Sequence, residues 1–111
     1  MTFEMNLNPI PFKLIKSGKK TIEMRLYDDR RKGIKIGDDI KFLNTETKEE
    51  LMVKVVNLYR FKNFEELYAY FDKAKLGYEL DEVANPSDME IYYPKEKIDN
   101  FGVLAIEITL I

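Results

Sequence analysis

The sequence predicts a small α+β domain: a mixed, partly closed β-barrel with one helix before its second strand and further helices before its last. Three observations predict it. Strand-like runs recur at residues 21–26, 34–42, 51–61 and 103–110. A helical period is confined to two stretches, near the start of the chain and between the long third run and the last one. Strand and helix do not alternate regularly, which disfavours a doubly wound parallel sheet.

Each element has a local reason. After a short extended start, Pro9 and Pro11 stand where a helix begins and tolerates proline, and Phe12, Leu14 and Ile15 supply its apolar side. Gly18 sits where the helix end calls for a left-handed residue, with Lys16 and Lys19 at the negative end of the dipole. In residues 21–26, Ile22, Met24 and Leu26 share one face while Thr21, Glu23 and Arg25 share the other. Residues 28–33 form a charged turn, and Gly37-Asp38 turns the chain into the next strand. The polar stretch 44–50 is a loop or hairpin between strands. Residues 51–61 are rich in β-branched and aromatic side chains and form the longest strand.

The period then changes. Phe64, Leu67, Tyr68 and Phe71 recur at i, i+3, i+4 and i+7, with Asn63 as N-cap, which predicts a helix that buries Tyr68 and Phe71. Residues 76–93 are expected to be helical in pieces, broken near Pro86. Tyr59 and Phe61 share strand phase with Val53 and Val55, which places at least one of them in the core. Tyr92 and Tyr93 stay open, because neighbours on a helix cannot both face inward.

Composition removes several chemistries. At 111 residues the chain has the size of one domain, 1–111, able to bury a core. It contains neither cysteine nor histidine, so it lacks a thiol nucleophile, a disulfide and the usual neutral-pH base. Catalysis would fall to Lys, Arg, Tyr, Ser, Thr and carboxylates. No acidic loop has calcium-binding spacing, so neither metal nor cofactor is expected. The first residues lack a signal-peptide pattern and no apolar run could span a bilayer, so a cytoplasmic monomer without membrane contact is expected. Net charge is −2, but residues 1–62 carry +5 and residues 63–111 carry −7. That asymmetry gives either one basic face or two sets of solvated charges.

The chemistry concentrates at Gly18-Lys19-Lys20-Thr21-Ile22-Glu23-Met24-Arg25. It is not a phosphate loop: the earlier glycine is missing, since position 13 is Lys, and the segment runs from helix to strand rather than the reverse. What remains is a glycine turn delivering Lys20, Glu23 and Arg25 together. The plainer alternative is an ion pair between Glu23 and Arg25 on an exposed strand face.

The run Gly18-x-Lys20-x-x-Glu23-x-Arg25 resembles the G-x-K-x-x-E-x-R signature of the ASCH (activating signal cointegrator homology) domain, a PUA-like β-barrel family. Pro11-Phe12, Ile36-Gly37-Asp38, Tyr59-Arg60-Phe61 with the following helix, and the closing segment from Tyr92-Tyr93 to Glu107 are similar to its small prokaryotic members. The resemblance implies a cleft for RNA or a nucleotide-like ligand, lined by Gly18, Lys20, Glu23 and Arg25. In that cleft Lys20 and Arg25 would neutralise phosphate, and Glu23 would accept from a base or hold Arg25. Tyr59 and Arg60 would extend the surface by stacking and charge.

Two enzyme readings stand beside binding. Some similar proteins are amidohydrolases of acetylated cytidine that use a lysine, a threonine and a later glutamate. Lys20 matches the lysine, Glu23 stands where the threonine would be, and Asp72 and Glu79 are candidates for the later acid. Others resemble ribonucleases, for which Lys20 would stabilise the phosphorane and Glu23 or a tyrosine would move the proton. A domain that binds no nucleic acid is the third possibility.

Overall fold

The computed structural model describes residues 1–111. Its elements are β1 (Thr2–Leu7), α1 (Pro9–Lys16), β2 (Ile22–Leu26), β3 (Asp39–Asn44), β4 (Glu50–Phe61), α2 (Phe64–Tyr70), a 3-10 helix (Pro86–Ile91), α3 (Lys95–Phe101) and β5 (Val103–Leu110). The five strands form one sheet in the order β1-β3-β4-β5-β2, curled into a half-barrel. The β1–β3 pair is parallel and the other three are antiparallel. No helix is long and apolar enough to cross a membrane.

Apolar side chains fill both faces of this sheet. Phe12 and Ile15 of α1 pack inside the curl with Ile40, Phe42, Val53, Val55, Leu104 and Ile106. On the other face Ile22, Met24 and Leu26 of β2 meet Phe64 and Leu67 of α2, Ile98 of α3, Val103 and Ala105. Strand β5 therefore buries alternate residues in both clusters, which explains why its sequence is apolar almost throughout.

The local signals act as their chemistry requires. Asn63 caps α2 by accepting from the Glu66 N–H at 2.9 Å. Gly18 takes φ +83°, and the turn closes with Gly18 N–H on the Ile15 carbonyl and Lys20 N–H on the Leu14 carbonyl, both at 3.0 Å.

Two expectations are corrected. Residues 76–85 are turns and irregular chain rather than helix, and the 3-10 helix starts at Pro86 instead of breaking there. Proline suits a first helical position, and Asn85 caps the turn by accepting from the Ser87 N–H at 3.0 Å. The third strand begins at Asp39, directly after the expected turn at Gly37-Asp38, where Asp38 accepts from the Lys35 N–H at 2.8 Å. Helix α3 carries only one buried side chain, Ile98, so it has no apolar period to read. Finally, a bulge between Val55 and Asn57 reverses the phase of β4. Val53 and Val55 face the inside of the curl, whereas Tyr59 and Phe61 pack half-buried against the opposite cluster.

Candidate functional site

The site forms where the two edge strands approach each other. β1 and β2 are not hydrogen-bonded partners. Across the gap Arg25 of β2 donates from Nη2 to the Asn6 carbonyl of β1 at 2.8 Å. Beside this tie opens a cavity of about 500 Å³, bounded by the end of β1, the start of α1, β2, α2 and the segment that crosses the 3-10 helix. That volume lies within the roughly 300–1,000 Å³ usual for small-molecule sites.

Its floor is charged and buried. The side chains of Lys20 and Glu23 are 8% and 5% exposed, with Nζ 3.2 Å from Oε1. Arg25 donates to Glu23 Oε2 from Nε at 3.1 Å and from Nη2 at 2.8 Å. The Met24 N–H donates to Oε1 at 3.1 Å. Glu23 thus meets four donors, as many as a carboxylate has lone-pair sites. Its carboxylate ties Lys20 and Arg25 together. Burial raises the Glu23 carboxyl, but Lys20 and Arg25 outweigh it and lower it from 4.5 to about 2. Burial alone lowers the Arg25 guanidinium. Glu23, and after it the Tyr93 phenol, raise it above its ordinary value.

Lys20 reaches this floor because the chain around it leaves no other course. Lys75 accepts from the N–H groups of Thr21 and Ile22 at 3.1 and 3.0 Å, which lays residues 75–77 over the lysine stem. Gly77, at φ +103°, lets that segment come close: a Cβ there would meet Lys20 Cδ at 3.2 Å and Leu14 Cδ1 at 3.3 Å.

The family model for the ASCH domain matches residues 5–111. The chain belongs to the ASCH domain family. The ASCH chain also matches solved structures over its whole length. It is similar to the hypothetical protein PH0355, at 36% identity, TM-score 0.84 and complete coverage of both chains. It is similar to protein PF0455 from Pyrococcus furiosus, at 35% identity and TM-score 0.72, covering 100% of this chain and 98% of that one. The ASCH protein from Zymomonas mobilis has the same fold at 15% identity and TM-score 0.70, with 97% of this chain and 66% of that chain covered. No curated protein sequence matches.

The residues expected to form the site do not all stand in one place. Lys20, Glu23 and Arg25 line the cavity, while exposed Gly18 shapes the turn that leads to them. Tyr59 and Arg60 lie outside it. Tyr59 donates from its hydroxyl to Glu107 at 2.9 Å and accepts from Asn57 at 3.0 Å, and its ring packs edge-on against Phe71. Arg60 faces the other way, its guanidinium 3.9 Å from the centre of the Tyr27 ring. The walls include residues not expected at the site: Tyr68, Tyr78, Asp88, Tyr92 and Tyr93. Tyr68 lies half-buried with its ring in this wall instead of deep in the core. Tyr92 and Tyr93 both line the cavity because they follow the 3-10 helix in a turn, where the one-face rule does not hold.

Proposed function

We propose that this ASCH domain binds RNA or a nucleotide-like ligand by taking a single base into the cavity. The observation that supports this most is the convergence of buried Lys20 and Arg25, held by Glu23, beneath walls of tyrosine. Tyrosine faces stack on any base, and two cationic donors meet its carbonyl and ring-nitrogen acceptors. The charges favour a base over a phosphate as the buried group. Two cations, Lys20 and Arg25, share the lining with three acids, Glu23, Glu82 and Asp88, so the cavity is not a polyanion trap. In this reading the sugar–phosphate chain stays outside.

Binding is favoured over hydrolysis by the state of Glu23. A carboxylate held at about 2 and filled by four donors is a weak general base near neutral pH.

The test is amide chemical-shift mapping with nucleosides and with short single-stranded RNA. Shifts concentrated at Lys20, Met24, Tyr68 and Tyr93 are expected, and shifts elsewhere alone, or none, overturn the reading. The control is the triple variant Lys20→Met, Glu23→Leu, Arg25→Met. It removes all three charges, leaves no lone buried ion, and is expected to stay folded and to lose binding. Release of acetate from acetylated cytidine, or RNA cleavage, by the wild-type protein would return the hydrolase reading.

A further inference from the structure

The cavity needs an acceptor as well as donors, and Glu23 cannot supply it because its lone pairs are occupied. Three other side chains of the cavity form a line of contacts. The Tyr68 and Tyr78 hydroxyls lie 2.8 Å apart, and Tyr78 donates to Asp88 Oδ2 at 2.9 Å. All three residues line the cavity.

The direction of the protons in this line follows from its far end. The exposed carboxylate of Asp88 only accepts, so the Tyr78 proton points to it. The bond between the two tyrosines can then be filled only by the Tyr68 proton, directed at the Tyr78 oxygen. Tyr68 is left with an oxygen whose proton is committed and whose lone pairs are free. Both phenols are held above their ordinary value: burial comes first in each, and Tyr68 and Asp88 add to it for Tyr78, so neither ionises in the neutral range.

Resting on the binding reading above, we infer that Tyr68 is a specificity-determining residue, an obligate hydrogen-bond acceptor polarised through Tyr78 by Asp88. It favours a bound ring that presents an N–H, such as an exocyclic amino group. It disfavours the analogue that presents nothing or a carbonyl, since two acceptors would then face each other without a proton. Lys20 and Arg25 supply donors on the floor and Tyr68 the acceptor on the wall, so the cavity reads the orientation of the base as well as its ring.

The experiment measures affinity for cytidine, adenosine and guanosine, each against the nucleoside in which hydrogen replaces the exocyclic amino group. In the wild type at least one pair is expected to differ by about tenfold in favour of the amine. Asp88→Asn offers Tyr78 a donor, which lets both phenol protons turn round and Tyr68 donate into the cavity. The preference of that pair is expected to fall to within about twofold or to invert. Tyr68→Phe, which keeps the ring, is expected to remove the preference while keeping the stacking contribution. Nucleosides that bind with an amine preference unchanged in both variants overturn the role of Tyr68 and leave the binding reading standing. Nucleosides that shift no cavity resonance overturn both.

Discussion

Glu23 and Lys41 each stand between two opposite charges, yet they are different kinds of structure. Lys41, in the middle of β3, lies 3.0 Å from Glu4 of β1 and 3.4 Å from Glu50 of β4, with its side chain partly open to solvent. Hydrogen bonding to Glu4, and then the charge of both acids, raises its ammonium above the ordinary value. Water remains available to all three groups, so the cluster gains little by forming and loses little by breaking. Glu23 sits in the buried floor of the cavity with Lys20 and Arg25, where each charge depends on the others because little of any of them is exposed. The number of partners does not distinguish the two clusters. Their access to water does.

That comparison can be broken in four ways, in decreasing order of effect. Glu23→Ala leaves Lys20 and Arg25 buried without a partner and is expected to cost about 3–5 kcal/mol in urea unfolding. A loss below about 1 kcal/mol would show that water reaches the floor. Acid should act next. The folded-state pKa of Glu23 lies below its ordinary value, so its contribution is complete above pH 4.5 and is lost as pH falls toward about 2. The wild type should lose roughly 3 kcal/mol across that window, a slope that is expected to be missing in the triple variant without charges. Gly77→Ala is expected to cost about 1–3 kcal/mol, because it strains a φ of +103° and presses on the Lys20 stem. Lys41→Ala is expected to leave the urea midpoint unchanged at any salt concentration. A salt-dependent loss there would erase the contrast between the two clusters.

Much of this was legible in the sequence, for reasons tied to particular residues. Gly18 predicted a left-handed turn, Asn63 a cap, and the alternation of Ile22, Met24 and Leu26 a face, because each depends on only a few neighbouring residues. Lys20, Glu23 and Arg25 were legible as a group by spacing and by family resemblance, whereas their burial was not. Burial depends on residues 75–77, which lie over the lysine but are more than fifty positions away in the chain. The phase reversal in β4 was hidden for another reason: Val56 is as good a strand residue as its neighbours, and nothing in its type marks it as the extra one. Tyr68 shows the limit of periodicity. Its helical spacing predicts a core side chain, but its ring stands half-buried in the cavity wall and its hydroxyl meets Tyr78. Tyr78 and Asp88 carry no local pattern at all, since their relation exists only after the segment between α2 and α3 has folded back.

The central place of β5 has a consequence for how the chain acquires its site. Strand β2, which bears Glu23 and Arg25, has β5 as its sole sheet neighbour, paired from Ile22 with Glu107 to Leu26 with Val103. During synthesis, β2 is made early and waits for its partner until Val103–Leu110 have left the ribosome. Until then three charges destined for a buried floor remain in water, and the longest-range pairing of the sheet waits with them. A chain cut after Gly102 is therefore expected to show no cooperative unfolding transition. Cooperative melting of that fragment would mean that the half-barrel assembles around β3 and β4 alone.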